Sequence, residues 1–149
     1  MTHSNLSRAA GNLLGFDFGL RRIGVAVGET VTGGARPLAT LAAQQGRPDW
    51  NHVDELIRDW SPLALIVGLP VALGGEDQPI TVSARAFAGS LHERYHLPVH
   101  CSDERHSSQE ASRRFAAQRA SGQRRRRDAE GLDAVAAAVI LESWLNEHS

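Results

Sequence analysis

Leu13 to Val27 reads LLGFDFGLRRIGVAV, and this stretch organises the rest of the chain. Leu13-Leu14-Gly15-Phe16 is an apolar run closed by one carboxylate, Asp17. Phe18-Gly19-Leu20 and the pair Arg21-Arg22 follow, and then a second run, Ile23-Gly24-Val25-Ala26-Val27. Two such runs joined by a short segment carrying glycine and charge predict a β-hairpin. Asp17 then stands at the end of an apolar, central strand, where a carboxylate is costly to desolvate unless a cation meets it. A neighbouring arginine and a bound metal ion both satisfy that demand. An Asp that only shapes the turn satisfies the local sequence equally well.

With 149 residues, 42% of them hydrophobic, the chain is long enough for one globular domain with a sizeable core. The net charge of −1 names no polyanionic partner by itself. Its distribution does more: all 16 basic residues are arginine, and between Arg105 and Arg127 eight arginines face Glu110 alone, a local charge of +7. A single cysteine, Cys101, excludes an internal disulfide and fits a reducing cytoplasm; its place in a short strand makes it a core residue rather than a ligand. No segment resembles a signal peptide, and no apolar run reaches the roughly 20 residues that span a bilayer. A cytoplasmic protein without a membrane partner is the expectation.

Residues 1–12 are small and polar and read as a tail, leaving 13–149 as one domain. Beyond the hairpin, Ala35 to Leu41 predicts a third strand, placed at an edge or a strand start by Pro37. Gln44 to Pro48 reads as a loop. Trp50, Val53, Leu56, Ile57 and Trp60 recur at helical spacing, so residues 49–60 predict a helix with one buried face. Leu63 to Val67 is continuously apolar and predicts a buried parallel strand. Residues 80–95 predict a helix, Val99-His100-Cys101 a strand, Ser107 to Arg119 a helix opened by a Ser107/Glu110 capping box, and Leu132 to Leu145 the last helix. An antiparallel meander followed by two crossover strands makes a mixed five-stranded α/β sheet with helices on both faces, the ribonuclease H-like architecture.

That architecture carries three acids toward one sheet edge. Asp17 ends the first strand, Glu104 follows the last, and Asp133 opens the final helix on a face shared with Ala137, Ile140 and Trp144. Singly, each has a plain structural reading: Glu104 can pair with Arg105 or Arg22, and Asp133 can complement the helix dipole. Together they suggest a site for a hard divalent cation, Mg²⁺ or Mn²⁺, since no His or Cys cluster accompanies them. Two such ions are the usual device for in-line attack on a phosphodiester. Arg21, Arg22, Arg105 and the run Arg124, Arg125, Arg126, Arg127 are candidate phosphate contacts, because a guanidinium forks onto phosphate oxygens.

The segments GFDFGLRRIGVAV, LIVGLP, SDERHSSQEA and LDAVAAAVIL, in this order, resemble the YqgF family, also called RuvX. Its members are described as Holliday junction resolvases and as nucleases that process the 5′ end of precursor 16S ribosomal RNA. The resemblance runs from Leu13 to about Leu145. It implies a ribonuclease H-like fold, a divalent metal, and a three-acid site mapping onto Asp17, Glu104 and Asp133. Family members usually show Ser-Asp where this chain has Gly28-Glu29, which leaves any role of that acid open.

Two readings compete with an rRNA nuclease or a four-way DNA resolvase. An actin-like ATPase shares the Asp-x-Gly after a strand, but needs two lobes and a second phosphate loop. A non-catalytic nucleic-acid-binding factor would not need three intact acids. Junction resolution calls for a symmetric dimer and RNA trimming for a single site, and the sequence favours neither monomer nor dimer.

Overall fold

In the computed structural model of the chain, residues 10–70, 76–103 and 128–148 are described, with only the backbone at 128–130. Alternating and continuous apolar runs form a sheet of six strands: β1 (Asn12–Asp17), β2 (Arg22–Glu29), β3 (Ala35–Gln44), β4 (Arg47–Pro48), β5 (Ala64–Leu69) and β6 (Val99–Asp103). Three helices lie among the described residues: α1 (Trp50–Trp60), α2 (Pro79–Tyr95) and α3 (Asp128–Glu147). The spatial order is β4-β3-β2-β1-β5-β6. β1 pairs antiparallel with β2, whereas β5 and β6 run parallel to it, so the sheet is mixed as expected.

Side chains alternate across a strand, and here the alternation sorts two cores. Leu14 and Phe16 of β1, Ile23, Val25 and Val27 of β2, and Leu65 and Val67 of β5 meet Val53 and Leu56 of α1 and Phe87 and Leu91 of α2. On the opposite face Leu13, Ala26, Ala64 and Ile66 pack beneath Ala137, Ile140, Leu141 and Trp144 of α3. β5 is buried along its whole length, as its unbroken apolar run predicts for a strand covered on both faces.

Four local differences from the sequence expectations have physical causes. The segment 44–48 is a tight hairpin rather than a loop: Gln45 and Gly46 both have positive φ (51° and 83°), which turns β3 directly into the two-residue β4 and adds a sixth strand. Pro48 closes that strand, and Asp49 caps α1 by accepting from the Asn51 amide. α3 begins at Asp128, so Asp133 sits in its second turn and is no first-turn dipole acid. Cys101 is exposed rather than core: among the described residues β6 is an edge strand of the sheet, with a neighbouring strand on one side only. Asn12, expected in the tail, opens β1 and anchors through its side-chain amide to the Trp60 carbonyl. The expected helix at 107–119 lies outside the described residues.

Among the described residues no helix is long and apolar enough to cross a membrane.

Candidate active site

Asp17 is the last residue of β1, opposite Gly24 of β2 on one side and Gly68 of β5 on the other. It is in phase with Leu13, so it belongs to the face covered by α3. Gly68 is in turn level with Ser102 of β6. The row Gly24-Asp17-Gly68-Ser102 therefore has a carboxylate flanked by two positions with no side chain. An edge built this way leaves room above the sheet for a ligand.

α3 delivers the second acid to the same place. A Cβ built on Gly24 would stand 2.0 Å from the Asp133 carbonyl oxygen, so the helix backbone lies directly on β2 at this residue. A Cβ on Gly15 would likewise press on Leu141 Cβ at 3.0 Å and the Ala137 carbonyl at 3.3 Å. These two glycines let α3 descend onto the sheet, and Asp133 arrives over the strand position paired with Asp17. Arg22, in phase with Gly24, donates from Nε to Asp133 Oδ2 at 2.7 Å. The pair is partly open to solvent, with 42% and 24% of the two side chains exposed, so its direct contribution to stability is modest, about 1 kcal/mol or less.

Arg21 lies elsewhere. With Leu20, Ala42 to Gln45, Arg47, Pro48 and Asp49 it lines an open groove of about 1070 Å³ on the flank of the same sheet edge. Glu104, Arg105 and Arg124 to Arg127 lie outside the described residues. Among the described residues no group of three or more Asp, Glu, His or Cys side chains forms a metal-binding cluster. Two of the three expected acids meet at the edge; the donor set they offer is hard oxygen, which suits Mg²⁺ or Mn²⁺ and not a soft-ligand metal. Glu29 has no part in this constellation. It pairs with Asn12, five residues from Asp17 along β1 and about 17 Å away at strand spacing, at the other end of the sheet.

Sequence reasoning missed Gly24 as a site-forming residue. Its only local signal is a glycine inside a β-branched run, which marks close backbone approach. Asp103 ends β6 level with Leu69, one position out of phase with the Asp17 row, and so belongs to the opposite face of the sheet.

A mixed sheet with Asp17 at the carboxyl end of its central strand, and a helix laid across that strand, is the arrangement of the ribonuclease H-like fold class. The sequence model described as "RuvX: Holliday junction resolvase" matches residues 11–147. The chain belongs to the RuvX family. A relative in Xylella fastidiosa (strain M23) is 56% identical over 135 residues, covering 91% of this chain and 87% of that protein. Another, in Xanthomonas axonopodis pv. citri (strain 306), is 52% identical over 145 residues, covering 97% and 94%. Both carry the name "Putative pre-16S rRNA nuclease".

Two solved structures share the fold. T. thermophilus RuvC in complex with a Holliday junction substrate aligns with a TM-score of 0.53 at 17% identity, over 92% of this chain and 94% of that one. The yeast mitochondrial Holliday junction resolvase Ydc2 aligns with a TM-score of 0.54 at 10% identity, over 91% and 78%. At these identities the likeness is one of architecture.

Proposed function

We propose that this nuclease is divalent-metal-dependent and cytoplasmic and processes the 5′ end of precursor 16S ribosomal RNA. Asp17, Glu104 and Asp133 hold Mg²⁺ or Mn²⁺ in this reading. Arg21, Arg22, Arg105 and Arg124 to Arg127 contact phosphates. The observation that carries it is the approach of Asp133 to the β2 position paired with Asp17, which brings two acids 116 positions apart in sequence to one sheet edge.

When bound, the metal supplies Lewis acidity toward a phosphodiester oxygen and eases deprotonation of an attacking water. The chain's own residues do the rest. Asp17, fixed by strand pairing on both sides, would be the rigid carboxylate among those that hold the cation. Asp133 is steered by Arg22, whose Nε holds one carboxylate oxygen while the terminal nitrogens of the same guanidinium remain suited to a phosphate oxygen. The scissile phosphate thus meets a cation on the protein side before chemistry begins, which offsets the repulsion between a polyanion and three acids.

The relatives' shared name supports RNA as the substrate. A four-way DNA junction is the second reading, favoured by the family description and by the RuvC likeness. A single assay separates them: the full chain is incubated with a precursor 16S transcript or a four-way DNA junction, in Mn²⁺ or Mg²⁺, beside Asp17→Asn. Cleavage at the transcript's 5′ region, lost in the variant, is the expected result. Symmetric nicking of the junction with an untouched transcript overturns the RNA assignment, and no cleavage of either overturns the nuclease reading.

A further inference from the structure

The β3–β4 hairpin has no part in the acid constellation, yet it is built onto the same end of the sheet. The Ala43 amide donates to the Arg21 carbonyl at 2.8 Å and the Gly46 amide to the Leu20 carbonyl at 2.9 Å. Gly46 packs so closely on Phe18 that a Cβ there would meet its ring at 2.7 Å. The hairpin tip is therefore locked to residues 18–21, the segment that leaves Asp17 and returns as Arg22. Between hairpin and segment runs the 1070 Å³ groove.

The chemistry of its walls is one-sided. Arg21 and Arg47 are both exposed, and neither is in the ion pairs found among the described residues, where Arg22, Arg85 and Arg94 hold Asp133, Asp77 and Asp54. Asp49 is the groove's acid, and its Oδ1 accepts from the Asn51 amide at the start of α1. Gln44 and Gln45 add exposed amides that donate and accept. Two unpaired guanidinium groups with adaptable amides between them match a phosphodiester backbone, which offers forked oxygens at intervals and no cation. Among the described residues no aromatic ring lines the groove, which favours backbone contact over base stacking.

We infer that this groove is a second contact for the substrate, holding the phosphodiester backbone of the flank beside the cleaved bond through Arg21 and Arg47. The inference rests on the nucleic-acid reading above and adds Arg47, Gln44 and Gln45 to it. β4 is three strands from β1, about 14 Å at strand spacing, so the contact falls beyond the scissile phosphate rather than on it. The pinned hairpin makes the contact stiff, which fixes the direction in which the strand crosses the edge.

The test is anisotropy of a labelled single strand on the full chain in EDTA, with RNA and DNA of the same sequence. One strand has roughly 2 nucleotides, too few to span from β1 to β4, and the other roughly 16, so that only the longer reaches the groove from the acid edge. Arg47→Ala is expected to weaken the long strand about three- to tenfold and lower its log–log salt slope by about 0.7, with the short strand unaffected. Arg47→Lys should restore the slope, and Arg58→Ala, an exposed arginine at the end of α1, should change neither strand. An urea midpoint equal to wild type excludes a folding effect, since the Arg47 backbone, not its side chain, makes the hairpin. Equal weakening of both strands, or of neither, overturns the inference. Equal loss on RNA and DNA assigns the contact to phosphate alone, and loss on RNA only assigns part of it to the ribose hydroxyl. A wild type that binds both strands yet cuts nothing in Mn²⁺ defeats the nuclease reading while the Arg47 comparison still decides the groove.

Discussion

The carbonyl of Asp133 rests on Gly24 so closely that a methyl group at Gly24 would overlap it, at 2.0 Å. One missing side chain thus determines how far the carboxylate-bearing helix descends toward Asp17. Gly24→Ala should lift α3 locally, costing about 1–3 kcal/mol in urea unfolding. It should also cut nuclease activity more than that loss of folded population explains. Gly89→Ala is the contrast: this exposed glycine of α2 has open space around it, and the same change should stabilise by about 0.5–1 kcal/mol.

Arg22 balances Asp133, and removing it should expose the repulsion among the acids. Arg22→Ala is expected to lower the melting temperature in EDTA, with Mn²⁺ recovering more of the loss in the variant than it adds to wild type. A variant that melts at the wild-type temperature with and without metal would show that the ion pair carries no such balance.

Mn²⁺ should support cleavage at least as well as Mg²⁺, because it tolerates imperfect coordination at a site whose carboxylates repel one another without metal. Ca²⁺ should permit substrate binding with little cleavage, and EDTA should abolish cleavage. Activity of Asp17→Asn in Mn²⁺ equal to wild type would exclude Asp17 from the metal site. Cleavage by gel and binding by anisotropy are read separately.

The run Arg124 to Arg127 should govern affinity rather than chemistry. If its four side chains each meet a phosphate, replacing them with alanine lowers the log–log salt slope of binding by about 3–4 units. A slope equal to wild type would mark the run as a solvated surface.

Acid stability should report the joint between α1 and α2. Arg94 donates to both Asp54 oxygens, at 2.9 and 2.8 Å, and the Tyr95 hydroxyl donates to the same carboxylate. These donors hold the Asp54 pKa down from 3.8 to about 2. Stability that depends on the ionised form is complete above the unfolded value and is lost as pH falls through about 2. At pH 7 Asp54→Asn should therefore unfold at lower urea than wild type, and the gap should close between about pH 4 and pH 2.

The α/β class, the hairpin around Asp17, the buried β5 and the packing face of α1 were legible from sequence, because strand and helix periodicities are local and repeat over several residues. Asp17 and Asp133 were legible as acids at the ends or on the inner face of apolar elements. The two-residue β4 was not, since a strand that short has no period; only the Gln45-Gly46 turn marks it. Gly131 and the polar residues before it hid the first turn of α3, and so the depth of Asp133 within the helix. Cys101 looked like core until strand order put β6 at the edge.

By itself the sequence determined the kinds of element, the donor chemistry of the acids and the guanidinium-only basic surface, all properties of residue type and near-neighbour spacing. Tertiary structure alone decided which of them meet. The seating of Asp133 on Gly24, the pairing of Arg22 with Asp133 rather than with Asp17's turn, and the divergence of Arg21 into the groove depend on helix depth and strand phase. The first two follow from contacts between residues about 110 positions apart and the third from contacts with the β3–β4 hairpin more than 20 positions away, which no local pattern encodes.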